Sequence, residues 1–318
     1  MLTHWIKKNL PPFSHLRAIT QEASSRSFFR LEMNNKPYVL MVYPEPNPDE
    51  IFRIQKFTSL YILAGLKVPR IIDSFENQAI LLEDLGRRYF QYYFKKSPSR
   101  QKLEMAKKGI WIIKRIATIP AEQTPLSHDL ARQQFEMDFF ITHYLDTKND
   151  EEKREELRSY LYQLARQTCA PVNFSHRDFH SRNLIYAPDR YGIVDFQDSM
   201  RTHPLYDLAS FLWDAYLPWT PSLRSHIIKE LPFPANTTQT DLETVALQRT
   251  IKALGTFAYQ IKVKKKMAYR QYICRVIQSI LQNPQFKKVI PASCQNLFLC
   301  DTSTIQKKCT QDTPLLNS

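Results

Sequence analysis

Residues 175–199 read SHRDFHSRNLIYAPDRYGIVDFQDS, and three spacings within them limit what this chain can be. Asp178 follows His176 by two positions, Asn183 follows Asp178 by five, and Asp195 follows Asn183 by twelve. The short apolar runs Leu184-Ile185-Tyr186 and Ile193-Val194 flank Pro188-Asp189, the pattern of a β-hairpin. Such a hairpin returns Asp195 to the neighbourhood of Asn183. The expectation is an acid, an amide and a second acid converging on one spot.

Phosphoryl transfer from a nucleotide needs that set. One carboxylate accepts or orients the proton of the attacking hydroxyl, while an amide oxygen and a second carboxylate hold Mg²⁺ against the phosphates. Hard oxygen ligands suit Mg²⁺, and the stretch offers no softer set. Taken singly, the pieces say less. His176 alone reads as a core or loop-bracing histidine. Asp198 is either a second metal-facing acid or a helix cap, and Arg177, Arg182 and Arg190 also fit a solvated basic face. The ordered set is what points to a site.

The surrounding chain reads as α+β. Over residues 1–85, SFFRLEM and PYVLMVY are joined by the turn pair Asn34-Asn35, a hairpin signal. Asn47, Pro48 and Glu50 mark a helix start, with an apolar stripe through Ile51, Ile54, Phe57, Tyr61 and Ile62 and a stop at Gly65. IIDSF and AILLE form a further strand pair about Glu76-Asn77. From Ser97-Pro98 the pattern turns helical, and it resumes after the polar stretch with YDLASFLWDAY and a long run over about 241–281. The domain reading is a small β-rich lobe (1–85), a larger helical lobe holding the polar stretch (86–290) and a loosely attached polar tail (291–318).

Composition excludes some classes and leaves others open. No run of 18 apolar residues exists, so nothing here reads as a membrane span. MLTHWIKKNL lacks the apolar region of a signal peptide, and Leu2, Trp5, Ile6 and Leu10 suit an amphipathic helix. Five cysteines, an odd number, argue against a disulfide framework and for a cytoplasmic protein. The net charge of +13 attracts polyanions, membrane surfaces and phosphorylated metabolites alike. VKKKMAYRQY (263–272) interleaves basic and aromatic residues as a nucleic-acid surface would. Phe257, Ile261, Met267, Tyr272 and Ile273 are better explained by amphipathic helices, so nucleic acid is not the expected partner.

HRDFHSRN followed by IVDFQD resembles the catalytic and metal-binding loops of the aminoglycoside phosphotransferase/choline kinase-like family. His180 and Asn183 fit that family's H-x-D-x-H-x-x-N form. Within the family the closer resemblance is to bacterial N-acetylmuramate/N-acetylglucosamine anomeric kinases, carried also by EASSRSFFR (22–30), LLEDLG (81–86) and YDLASFLWDAY. It is spread over about residues 20–217 and is strongest at 176–207. The resemblance implies a protein kinase-like bilobal fold whose N-terminal lobe covers ATP. It implies Mg²⁺ as cofactor and an amino sugar phosphorylated on its anomeric hydroxyl, in cell-wall sugar recycling. On it, Asp178 is the catalytic base, Asn183 and Asp195 are the Mg²⁺ ligands, and Asp207 braces the catalytic loop. His176, Arg182 and Asp198 support them, and Ser24, Ser25 and Arg26 approach the nucleotide phosphates.

Some residues depart from the pattern. Met41 stands where protein kinases place a phosphate-binding lysine, which makes Arg26 the expected substitute and Arg30 its competitor. Glu22 replaces an aspartate, and Ser199-Met200-Arg201-Thr202-His203 lacks an expected glycine. A protein kinase is disfavoured, because eleven residues between Asp195 and Asp207 leave no room for a peptide-supporting segment. An aminoglycoside or choline-like acceptor, and a non-catalytic kinase-like protein, remain as alternatives.

Overall fold

The computed structural model describes residues 6, 10–19, 26–145, 151–187 and 190–298. Ser24, Ser25, Glu22, Leu2, Trp5 and the Pro188-Asp189 turn lie outside them. The chain forms two compact units, 1–93 with 182–198 and 94–181 with 199–318. Segment 182–198, which the sequence reading leaves in the helical lobe, groups with the sheet-bearing unit.

In the first unit, five antiparallel strands run in the order β1-β2-β3-β5-β4, namely Ser14–Ile19, Ser27–Met33, Lys36–Val42, Ala79–Glu83 and Ile71–Phe75. Asn34 and Asn35 close the β2–β3 hairpin at φ 50° and 59°, the left-handed pair that a tight two-residue turn demands. Helix α1 (Pro48–Leu63) starts at Asn47, whose side chain accepts from the Glu50 N–H at 3.1 Å. It ends in a Schellman turn, with Gly65 N–H to Ile62 O and Leu66 N–H to Tyr61 O, both 2.9 Å, and Gly65 at φ 73°. Its buried stripe is Ile51, Ile54, Phe57, Thr58 and Tyr61. Ile62, expected in that stripe, is instead 43% exposed, because Thr58 sits on the buried face and Ile62 lies past its edge.

The sequence hairpin is β7 (Leu184–Ala187) paired with β8 (Arg190–Ile193), Leu184 opposite Ile193. Two main-chain bonds tie it into the first unit, Ile193 N–H to Lys67 O at 2.9 Å and Tyr186 N–H to Arg88 O at 3.0 Å.

The chain leaves the first unit within α2 (Phe90–Lys96). The second unit then comprises α3 (Ser99–Ile116), α4 (Leu130–Tyr144), α5 (Glu151–Thr168), α6 (Tyr206–Leu212), α7 (Pro221–Glu230), α8 (Gln239–Lys262) and α9 (Arg270–Leu281). A two-stranded ribbon, β6 (Asn173–Ser175) with β9 (Met200–Thr202), completes its regular core. Helix α8 opens with a reciprocal capping box between Thr238 and Asp241. It lies close against α4, for a Cβ on Gly255 would stand 2.6 Å from Phe140 Cα. Phe140, Tyr144, Leu157, Leu161, Leu247, Ile251 and Ile277 form the core around that crossing.

Two expectations need correction here, the loose tail and the absence of disulfides, while the preference for amphipathic helices over a nucleic-acid surface holds. The tail is not loose over 291–298: α10 (Phe286–Val289) leads to α11 (Ala292–Gln295), and Cys294 and Phe298 are fully buried. Two isolated apolar anchors in a polar stretch carry no period, which hid them. In VKKKMAYRQY, Tyr269 and Tyr272 are buried in the same core, so neither ring offers a base-stacking platform. Cys274 is disulfide-bonded, against the expectation of no disulfide framework, whereas Cys169 and Cys294 are free thiols. Among the described residues no helix is long and apolar enough to cross a membrane.

Candidate active site

Strand β6 delivers the chain into the loop that carries Asp178, and two buried carboxylates hold the loop's main chain. Asp207, in the first turn of α6, accepts the His176 N–H at 2.7 Å and the Arg177 N–H at 3.0 Å. Arg177 sits at φ 75°, a conformation that costs a non-glycine residue about 1 kcal/mol or more and persists only when its surroundings enforce it. Asp214 accepts from the N–H of Ser181 and of Tyr216, both at 2.8 Å. Burial raises the pKa of each acid, Asp207 to about 6. The His176 ring is buried and packs edge-on against Phe179, and His180 packs edge-on against Tyr216.

Asp178 faces a cluster of cations. Its Oδ1 lies 3.2 Å from Lys252 Nζ and 3.3 Å from Arg249 Nη2, both on α8. Burial alone would raise its pKa, but Lys252 foremost, then Arg177 and Arg249, hold it well below the usual carboxylate range. Glu136 of α4 anchors the same cluster: Oε2 meets His128 Nε2 at 2.9 Å, and Oε1 stands 3.6 Å from Arg177 and 3.9 Å from Lys252. Burial pushes Glu136 upward, and Lys252, His128 and Arg177 bring it down to about 2. Asp178 and these helices line a cavity of about 110 Å³ with His180, Trp213, Tyr216, Arg249, Lys252 and Phe257.

The remaining site residues belong to the first unit. Asn183 is 8% exposed, and its carbonyl accepts the Val194 N–H at 3.0 Å, so the hairpin does bring Asn183 and Asp195 together. Asp195 adopts φ 62°. Gln197 Nε2 bridges Asp195 Oδ1 at 3.0 Å and Asp198 Oδ2 at 3.2 Å. No helix starts at Asp198, since β9 follows at Met200; the helix-cap reading falls. Arg182 Nε lies 3.4 Å from Gln91 Oε1.

Arg26 stands between Glu50 of α1, at 2.7 Å, and Asp195, at 3.3 Å, with the Met41 sulfur 4.0 Å away. Arg30, its competitor, is taken up instead by a two-pronged pair with Asp84 and by Gly86 O at 3.0 Å.

Among the described residues no group of three or more His, Cys, Asp and Glu side chains is arranged to hold a metal. The amide of Asn183, just before the hairpin, and the carboxylates of Asp195 and Asp198, just after it, offer hard oxygens only. Mg²⁺ keeps several waters and takes few protein oxygens beside phosphates, so the donor chemistry fits that ion.

Sequence reasoning missed Glu50, Glu136, Arg249 and Lys252. A signal existed for three of them. Glu136 interrupts a buried helical stripe (Gln133, Met137, Phe140), and Arg249 and Lys252 share one face of the long apolar helix at i, i+3. Charges at such positions require partners.

Comparison with known proteins gives three findings. The model of the phosphotransferase enzyme family (APH) matches residues 15–233. An N-acetylmuramate/N-acetylglucosamine kinase of Pseudomonas aeruginosa is 27% identical over 269 residues, 78% of this chain and 77% of the relative. Two solved structures share the kinase-like fold. An aminoglycoside phosphotransferase variant in ternary complex with ADP and hygromycin B has a TM-score of 0.60 at 15% identity, covering 87% of this chain and 97% of that one. A choline kinase of Streptococcus pneumoniae has a TM-score of 0.61 at 13% identity, covering 88% and 96%.

Proposed function

Because the chain belongs to the phosphotransferase enzyme family, we propose that it is an ATP- and Mg²⁺-dependent kinase acting on the anomeric hydroxyl of an N-acetylated amino sugar. The kinase activity rests on the family. The amino sugar as substrate is supported by the name of the Pseudomonas aeruginosa relative, and ATP by the ADP complex of a structural neighbour. The ATP donor implies a reaction in the cytoplasm, and an amino-sugar acceptor fits recycling of cell-wall sugars.

One observation of this chain carries the reading. Asp178, held ionised, borders a cavity that it shares with aromatic rings and the Thr256 hydroxyl, the mixture that suits a sugar. Asp178 accepts a hydrogen bond from the acceptor hydroxyl, orients its oxygen and takes its proton as the phosphoryl group transfers. A hemiacetal hydroxyl is more acidic than an ordinary alcohol, and a carboxylate of depressed pKa is adequate for it. Asp207 and Asp214 fix the loop that aims Asp178. Asn183 and Asp195, with Asp198 beside them, would hold Mg²⁺, which supplies positive charge against the phosphates. Arg26 supplies the cation that Met41 cannot.

The test is a coupled ATP-turnover screen over N-acetylmuramate, N-acetylglucosamine, aminoglycosides and choline, with phosphorus NMR of the product. A phosphate on the anomeric oxygen of an N-acetylated amino sugar is the expected result. Turnover of choline or an aminoglycoside alone would leave the family and sink the substrate.

A further inference from the structure

Two cations crowd one carboxylate oxygen at the wall of the cavity. Arg249 Nη2 and Lys252 Nζ both address Asp178 Oδ1, at 3.3 and 3.2 Å, and their side chains are only 12% and 13% exposed. Arg249 is held from behind by its Nε bond to Ser210 Oγ at 3.0 Å, whereas the nearest other anion to Lys252, Glu136, stands 3.9 Å away. Arg249 is therefore fixed and Lys252 is the looser of the two. Both line the same cavity as Trp213, Tyr216, Thr256 and Phe257.

Covering two cations is expensive unless each has an anionic partner of good geometry. Asp178 Oδ1 is shared between them, and Glu136, the second carboxylate near Lys252, is itself shared with His128 and Arg177, so neither cation has a carboxylate to itself. The sharing is also a poor arrangement for an acid that must turn toward a hydroxyl. A substrate that brings its own carboxylate into the cavity repairs both faults: it pairs with a cation already desolvated and leaves Asp178 to the acceptor hydroxyl. N-acetylmuramate differs from N-acetylglucosamine by such a group, a lactyl ether on the ring carbon two away from the anomeric carbon.

We propose that Lys252, backed by Arg249, forms a carboxylate-reading subsite that makes this kinase prefer an N-acetylated amino sugar acid to its neutral counterpart, the incoming carboxylate drawing Lys252 from Asp178. This rests on the amino-sugar kinase reading and names which sugar that site favours. Lys252 is a specificity residue that contacts the substrate away from the reacting atoms.

The experiment compares kcat/KM of the full chain for N-acetylmuramate, its methyl ester and N-acetylglucosamine, at saturating ATP and Mg²⁺. Wild type should use the acid better than either neutral sugar by about tenfold to a hundredfold, the range of one charge-assisted hydrogen bond. Lys252→Met should collapse the acid-to-ester ratio toward one, and Lys252→Arg should restore most of it. The ester arm needs no variant, so the proposal stays open to refutation even if Lys252→Met fails to fold. Equal use of acid and ester by the wild type overturns the subsite while sparing the kinase reading, as does an unchanged ratio in a folded Lys252→Met. Failure to phosphorylate any of the three sugars overturns both.

Discussion

Arg26 Nη1 lies 2.7 Å from Glu50 Oε1, joining the start of β2 to the first turn of α1, and the same guanidinium reaches Asp195 on the hairpin. The side chains are 12% and 17% exposed, so the pair is sheltered from the screening that weakens surface ion pairs. Replacing Arg26 with Met should raise the KM for ATP about tenfold, the loss of a charge-assisted contact, and leave the KM for sugar nearly unchanged. Glu50→Gln should move the same parameter less. Steady-state titration of ATP decides it, and an unaltered ATP KM in Arg26→Met would reject the role.

Asp178→Asn keeps the shape of the side chain and removes the proton acceptor. Turnover should fall by about 10² to 10⁴-fold while nucleotide binding persists. Near-wild-type turnover, with ATP affinity measured by calorimetry, would falsify Asp178 as the base.

Two buried acids give opposite pH dependences of stability. Glu136 is lowered from an ordinary value of 4.5 to about 2, so its contribution is present above about pH 4.5 and is lost as pH falls toward 2. A separation of about two pH units corresponds to roughly 3 kcal/mol. Asp207 is raised from 3.8 to about 6, so its contribution is present below about pH 4 and is lost as pH rises through 6. In urea melts, the stability gap between wild type and Glu136→Gln should narrow on acidification below pH 4.5. The gap for Asp207→Asn should move the other way between pH 4 and 6. Gaps independent of pH would contradict both assignments.

The α4–α8 crossing leaves no room for a side chain at Gly255, where a Cβ would meet Phe140 main-chain atoms at 2.6 and 3.0 Å. Gly255→Ala should lower stability by about 1–3 kcal/mol, the usual cost of overpacking. At Gly192 the clash, 2.4 Å, is with the far end of the Leu85 side chain, which can turn away. Thermal melts should therefore rank Gly255→Ala as the more damaging change.

Phe298 stacks on Phe140 at 5.3 Å, meets Phe286 at 5.1 Å, and accepts the Tyr144 hydroxyl at its carbonyl at 2.7 Å. Truncation after Ile290 removes it together with Cys294. The loss should reach about 3–5 kcal/mol, as for other deletions of a buried phenylalanine. Unchanged denaturant midpoints in the truncated chain would show that this packing contributes nothing.

What the sequence by itself determined is local. The Asn34-Asn35 turn, the Asn47 cap with its Gly65 stop, and the hairpin that joins Asn183 to Asp195 each follow from a few adjacent residues. So does the chemistry of the donor set, because hydrogen-bond and metal preferences belong to the side chain itself. Tertiary structure decided which charges meet. Lys252 lies 74 positions from Asp178, and Arg26 lies 169 from Asp195. Periodicity says which face of a helix is buried but not what covers it, and an arginine or a lysine at such a face announces only that it needs an anion. Which anion it finds depends on how elements distant in sequence pack, here on the absence of a side chain at Gly255 that lets α8 lie against α4.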